Sequence, residues 1–205
     1  MITTTFHKCH EAGACTDSYK KMSRALGGIK EYGRDTETPV LKVLDVLGLD
    51  DALWVLGRAC DDEGRKMLRL FCSDVAARVL PLFEKERPTD DRPRDAIKAA
   101  RAYAWGRIDD AARAAAWDAA WDAAWDAARA AAWAAARAAA WAAAWDAAWD
   151  AARAAAWAAA GAAARAAAWD AAWDAERKWQ DERLREYLSS ETLPRAYPLP
   201  KKQKG

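Results

Sequence analysis

The residues best suited to hold a metal are His7, Cys9, His10 and Cys15, because imidazole nitrogen and thiolate sulfur are the donors that zinc prefers. Their spacing matches neither a paired C-x-x-C arrangement nor a finger, and all four come from one short segment. The expectation is therefore no metal, with a local cysteine pair and surface histidines instead. Cysteine–histidine catalysis would need a third, orienting group and a pocket, and the sequence displays neither. A second grouping, Asp90-Asp91-Arg92-Pro93-Arg94, could supply paired carboxylates for acid–base work. Capping of a following helix and local ion pairs account for the same five residues, which reads them as a structural motif. No glycine-rich phosphate loop, G-x-S-x-G or H-E-x-x-H is present. Residue chemistry thus predicts a protein that is not an enzyme and uses no cofactor.

These groups sit in a chain of 205 residues, long enough for one large or two small domains. Lys plus Arg at 32 against Asp plus Glu at 31 gives a net charge of +1, which removes the electrostatic drive of a generic nucleic-acid binder. The longest uncharged stretch, Ala154 to Ala164, has 11 residues, short of the roughly 20 that span a bilayer. No membrane span is expected. Met1 to Lys8 lacks a basic region followed by an apolar one, so a cytoplasmic, reducing location is expected, with Cys9, Cys15, Cys60 and Cys72 as free thiols.

The elements that must position these residues read as helices. Phe6 to Met22 is polar, and Gly13, Gly27, Gly28 and Gly33 mark turns, so the chain is expected to begin loop-rich. Pro39 and Gly48 bracket a short helix whose apolar residues fall at 40, 43, 44 and 47. Asp50 is placed to cap a second helix running to about Cys60, with Trp54 in the core. Between Asp61 and Glu86, Met67, Leu68, Phe71, Val75, Val79, Leu82 and Phe83 form a helical stripe that Pro81 should kink or end. Asp90 to Arg94 then opens a helix through about Trp105, with Pro93 in its first turn. Gly106 and Asp109-Asp110 set a boundary. The division is an N-terminal helical domain over 1–108, a repeat region over 109–188, and a Pro/Lys-rich tail over 189–205.

Residues 111 to 175 consist of 42 Ala, 10 Trp, 7 Asp, 5 Arg and one Gly. Ala112 to Ala135 matches Ala136 to Ala159 at 23 of 24 positions, the identity of a tandem duplication. Its aromatic ladder is Trp117, Trp121, Trp125, Trp133, Trp141, Trp145, Trp149, Trp157, Trp169 and Trp173. Alanine dictates helix, but a four-residue step overshoots a helical turn by about 40°, so a straight rod would expose indoles on every side. The expected fold is all-α, with this region a helical array of stacked short helices or one helix curled right-handedly, and Gly161 the place for a bend. Asp126 to Arg129, Asp150 to Arg153 and Asp174 to Arg177 stand three apart, where opposite charges meet on a helix. With 5 Arg against 7 Asp the tract would repel phosphates, and its drifting apolar face suits no membrane surface.

The run Leu70 to Glu84, continued by Pro88 to Arg101, resembles the Imm-five-like family of immunity proteins associated with bacterial polymorphic toxin systems. Ala14-Cys15, Leu49 to Trp54 and the Ala-rich repeats with a large residue every fourth position are similar to it as well, so the likeness runs from about Phe6 to Arg177. The resemblance implies a cytosolic, helical, non-enzymatic protein that binds and occludes a protein toxin. It carries over no catalytic residue. The alternative is a structural protein that self-assembles into homo-oligomers through its tryptophan ladder.

Overall fold

The computed structural model describes residues 1–112, 114–116, 118–119, 171 and 174–201, and these are mostly helical. The ladder tryptophans, Gly161 and the pairs Asp126–Arg129 and Asp150–Arg153 lie outside the described residues. Among the described residues the one strand pair is minimal: β1 (Thr3–Thr4) runs antiparallel to β2 (Thr38–Pro39), with Thr4 opposite Thr38. Thr4 is buried and its hydroxyl donates to the Ala59 carbonyl at 2.8 Å, so the pair is anchored at a third point in the chain.

The segment expected to be loop-rich forms two helices, α1 (Phe6–Glu11) and α2 (Thr16–Ala25). Thr5 caps the first by accepting from the Lys8 amide at 3.1 Å, and Cys15 caps the second. The polar text concealed them because each buries a narrow face: Phe6 in α1 and Met22 in α2. A single turn, α3 (Ile29–Tyr32), precedes β2.

Helix α4 (Val40–Leu47) starts after Pro39 and stops at Gly48, as its punctuation predicts. Gly48 has φ 94° and ψ −177°, a conformation reserved to glycine, and from it α5 (Leu49–Arg58) begins at once. Asp50 is therefore not the cap of α5 but a first-turn residue. Trp54 is half-buried rather than fully inside.

Helix α6 (Asp62–Glu86) is capped by Asp61, whose carboxylate accepts from the Gly64 amide at 3.0 Å. Pro81 does not end it; the helix continues five residues further, to Glu86. Packing against α7 (Arg92–Ala104) and the burial of Ala77 and Leu80 with Ile97 offset the one backbone bond that proline cannot make. Gly106 closes α7, and Asp109 caps the helical residues from 110 onward, accepting from the Ala112 amide at 2.8 Å. The chain returns as a helix over 174–189.

The main core joins both parts of the sequence. Val40 and Leu44 of α4, Leu56 of α5 and Phe71 of α6 are buried together with Leu184, Tyr187 and Leu188 of the returning helix. Residues 190–201 adopt no helix or strand, yet Leu193 packs on this core and Tyr197 and Leu199 on the smaller one. No helix among the described residues is long and apolar enough to cross a membrane.

Candidate functional site

The most concentrated polar cluster is centred on Asp74, on the core face of α6 and fully buried. Its position three residues after Phe71 puts a carboxylate on the same face as the apolar stripe, where an unpaired charge would cost several kcal/mol, on the order of that for any buried ion. Five donors compensate it. Arg101 Nη2 of α7 donates to Oδ1 at 2.9 Å, and the Tyr197 amide donates to the same oxygen at 2.8 Å. On the other oxygen, Arg183 donates through Nη2 at 2.7 Å and Nε at 3.1 Å, and the Tyr187 hydroxyl donates at 2.8 Å. Burial, and then the bond to Asp74, pushes the Tyr187 phenol pKa up, which keeps that proton in place as a donor. Glu186 pairs with Arg183, so two guanidinium groups meet two carboxylates.

The same two arginines, with Arg94 of α7, hold the C-terminal segment by its backbone. Arg101 donates to the Tyr197 carbonyl at 2.6 Å, Arg183 to the Arg195 carbonyl at 2.6 Å, and Arg94 to the Pro200 carbonyl at 2.9 Å. The expected tail is thus strapped across α6 and α7. Beside it, Arg78 of α6 donates to Glu176 at 2.8 Å and lies 4.5 Å over the Trp179 ring, which meets Tyr197 edge-on. Arg177, expected to pair with Asp174, forks instead onto Asp50 of α5 at 2.9 and 2.8 Å. The points where the chain leaves α7 and returns at 174 are both fixed to one frame.

The Asp90–Arg94 motif lies at the α6–α7 corner. Asp90 accepts from the Arg92 amide at 3.2 Å and from its guanidinium at 2.9 and 2.7 Å, which holds the Asp90 carboxyl below the usual carboxylate range. The carboxylate that serves the start of α7 is therefore that of Asp90, while Asp91 occupies the capping position without a side-chain cap bond and Pro93 lies in the first turn. Arg94 forks onto Glu84 of α6 at 2.7 and 2.8 Å, with both side chains largely buried. These contacts engage the Asp90 and Glu84 carboxylates with guanidinium groups, and an ion-paired, bidentate carboxylate is a poor general base.

The four metal-ligand candidates are drawn to different partners. His7 sits between two carboxylates, with Nδ1 2.8 Å from Asp35 and Nε2 3.1 Å from Glu11. Arg34 Nη2 donates to His10 Nδ1 at 3.4 Å. Cys9 contacts the Thr4 hydroxyl at 3.5 Å, and Cys15 lies 3.1 Å from the Ser18 hydroxyl. Among the described residues no three His, Cys, Asp or Glu side chains are placed to share a metal ion. All four cysteines of the chain are free, and burial pushes the Cys60 thiol up to about 12.

His7 carries a testable consequence. Its hydrogen bonds to Asp35, and then to Glu11, raise its pKa above the ordinary 6.5, so the folded state favours the imidazolium. A raised folded value means that this contribution is fully present below pH 6.5 and is lost as pH rises through the folded pKa. In an NMR titration the His7 ring protons should show a midpoint above 6.5 that falls back toward it in Asp35→Asn. A midpoint at or below the ordinary value would remove this contact from the folded state. Since the ring is exposed to solvent, added salt should shrink the shift.

Sequence reasoning passed over Asp74, Arg101, Arg183, Tyr187 and Tyr197. The one local signal was the acidic residue inside the apolar face between Phe71 and Val75. Its donors arrive from 27, 109, 113 and 123 positions away, beyond any window of periodicity.

The family model described as "Imm-5 like putative immunity protein" matches residues 58–187, well over half of the chain. The match begins at the end of α5, later than the resemblance near Phe6, and extends past Arg177 to Tyr187 in the returning helix. It takes in Asp74, Arg101, Arg183 and Tyr187. No curated protein and no solved structure matches the chain.

Proposed function

Since the chain belongs to the Imm-5 like immunity protein family, we propose that it protects its host cell by binding a protein toxin and covering the surface the toxin needs, without catalysis. The family match over residues 58–187 carries this reading. What supports it physically is that α6, α7 and the returning helix, the described parts of the matched stretch, are braced around Asp74, so their surface loses little freedom when a partner docks. Trp105 at the end of α7 is a suitable anchor: it is 49% exposed, carries Lys66 4.3 Å above its ring, and stands where the chain leaves the frame. The tryptophan ladder that follows extends the same aromatic character along the sequence.

The test is co-expression. Open reading frames adjacent to this gene are expressed singly in a sensitive host, and each one that arrests growth is paired with this protein. Restored growth for one toxic neighbour, with a complex recovered by size exclusion, is the expected result. Failure to rescue growth from any of them counts against the reading. Concentration-dependent oligomers in light scattering, together with that failure, would favour self-assembly through the ladder.

A further inference from the structure

A cavity of about 280 Å³ opens between β1, α1, α2, α4 and α5. All of its lining residues fall between Thr4 and Val55, outside the stretch 58–187 that the family model matches. It is independent of the immunity reading. Its size is at the lower end for ligand sites, about 300–1,000 Å³, and suits one ring system with a short chain.

The walls are built by the helices that sequence periodicity alone does not bring together. Phe6 of α1 meets Tyr19 of α2 edge-on at 5.1 Å, and Met22, Leu47 and the half-buried Trp54 complete an apolar, largely aromatic surface. The wall threonines are already satisfied: Thr4 donates to the Ala59 carbonyl at 2.8 Å and Thr38 to the Tyr32 hydroxyl at 3.2 Å. The charged lining residues are Asp50 and Asp51, in the first turn of α5, and both are acidic. Arg177 occupies Asp50 with a two-pronged contact. Asp51 is half-buried and has no ion pair or hydrogen-bond partner among the described residues.

The geometry points to a binding site for a small free organic cation, an aromatic group on a short alkyl ammonium, whose ring lies against Phe6, Tyr19 and Trp54 and whose ammonium meets Asp51. Charge complementarity selects this class. An anion placed here would face the half-buried Asp51 carboxylate at reduced dielectric, whereas a cation gains that attraction together with the faces of the aromatic walls. The location of Asp51 at a helix start would suit the helix dipole as well, but that leaves an apolar cavity beside it unexplained.

Cys15 provides the readout, because its exposed thiol also lines the cavity. Cys72, exposed on α6 and outside the cavity, is an internal control. Iodoacetamide labelling of the intact protein, followed peptide by peptide in mass spectrometry, is run with tryptamine, neutral 3-ethylindole and anionic indole-3-propionate. Tryptamine should slow labelling of Cys15 and leave Cys72 unchanged, at concentrations about tenfold lower than 3-ethylindole requires. In Asp51→Asn that preference should vanish while circular dichroism shows the fold retained.

Equal slowing at both cysteines, absence of any slowing, or an amine preference that survives in Asp51→Asn would each overturn the proposal. So would failure of tryptamine combined with protection by a Lys-Trp-Lys peptide, which would assign the cavity to a polypeptide side chain.

Discussion

Replacing Asp74 with asparagine is expected to lower the free energy of unfolding by about 3–5 kcal/mol, the range for removing one partner of a buried ion pair. The magnitude follows from what is left behind. Arg101 and Arg183 would face a neutral amide in a site where the carboxylate is wholly inaccessible, and the amide nitrogen would turn a second donor toward groups that are all donors already. Domains of this kind are stable by about 5–15 kcal/mol, so the variant should show a large drop in urea midpoint and remains measurable in the upper part of that range. Tyr187→Phe deletes one of the five donors and keeps the charges, and should cost about 1 kcal/mol. If both variants unfold at the wild-type midpoint, the cluster does not hold the frame together.

Leu184→Ala should destabilise by about 2–5 kcal/mol, the range for emptying a fully buried leucine site. Leu184 is 0% exposed and shares its core with Leu44, Leu56 and Phe71, from α4, α5 and α6. The site cannot readily collapse, since Tyr187 is fixed by its hydroxyl to Asp74 and edge-on to Phe71 at 6.4 Å. The informative measurement is hydrogen exchange read in α4 and α5. Loss of protection there from a change in the returning helix would show that the two parts unfold as one unit. Undiminished protection would mean the helix frays on its own. Because Leu184 and Tyr187 are one turn apart, the effects of Leu184→Ala and Asp74→Asn should combine to less than their sum.

Apart from Arg101, 27 positions from Asp74, both expectations rest on contacts between residues that the sequence separates by about a hundred positions or more, and this marks where sequence reading stops. Helix α4 was legible because Pro39 and Gly48 lie at its two ends and its apolar residues repeat within it. The start of α7 at the Asp90–Arg94 motif was legible from its carboxylates and proline, but of the expected α6 stripe Met67 and Phe71 are buried while Leu68, Val75 and Phe83 are half-buried, and Leu70, Ala77 and Leu80 take the core face. The continuation of α6 through Pro81 was not, since the packing of α7 outweighs a local penalty. Nor were α1 and α2, whose few buried residues count only once α4 and α5 lie beneath them. The strand pair has two residues per strand, too few to display any alternation.

Among the candidate site residues the division is similar. The ion pairs of Asp90 with Arg92 are local and follow from the residue order. Those of Arg94 with Glu84 and of Asp74 with Arg183 depend on which helices meet. The four Cys and His residues are neighbours in sequence, yet Asp35, Arg34, Thr4 and Ser18 engage them separately.

By itself, then, the order of residues determined a mostly helical chain, both ends and the apolar face of α4, the start of α7, and the four-residue rhythm of the alanine tract. These follow from interactions spanning about one helical turn. Only the tertiary structure decided that Asp74 is a bonded anchor, that Arg177 goes to Asp50, and that Asp51, without an ion-pair partner among the described residues, lines an aromatic cavity. A charge has no fixed role until folding sets its solvent and its partners, and those partners come from elements that no local rule can pair.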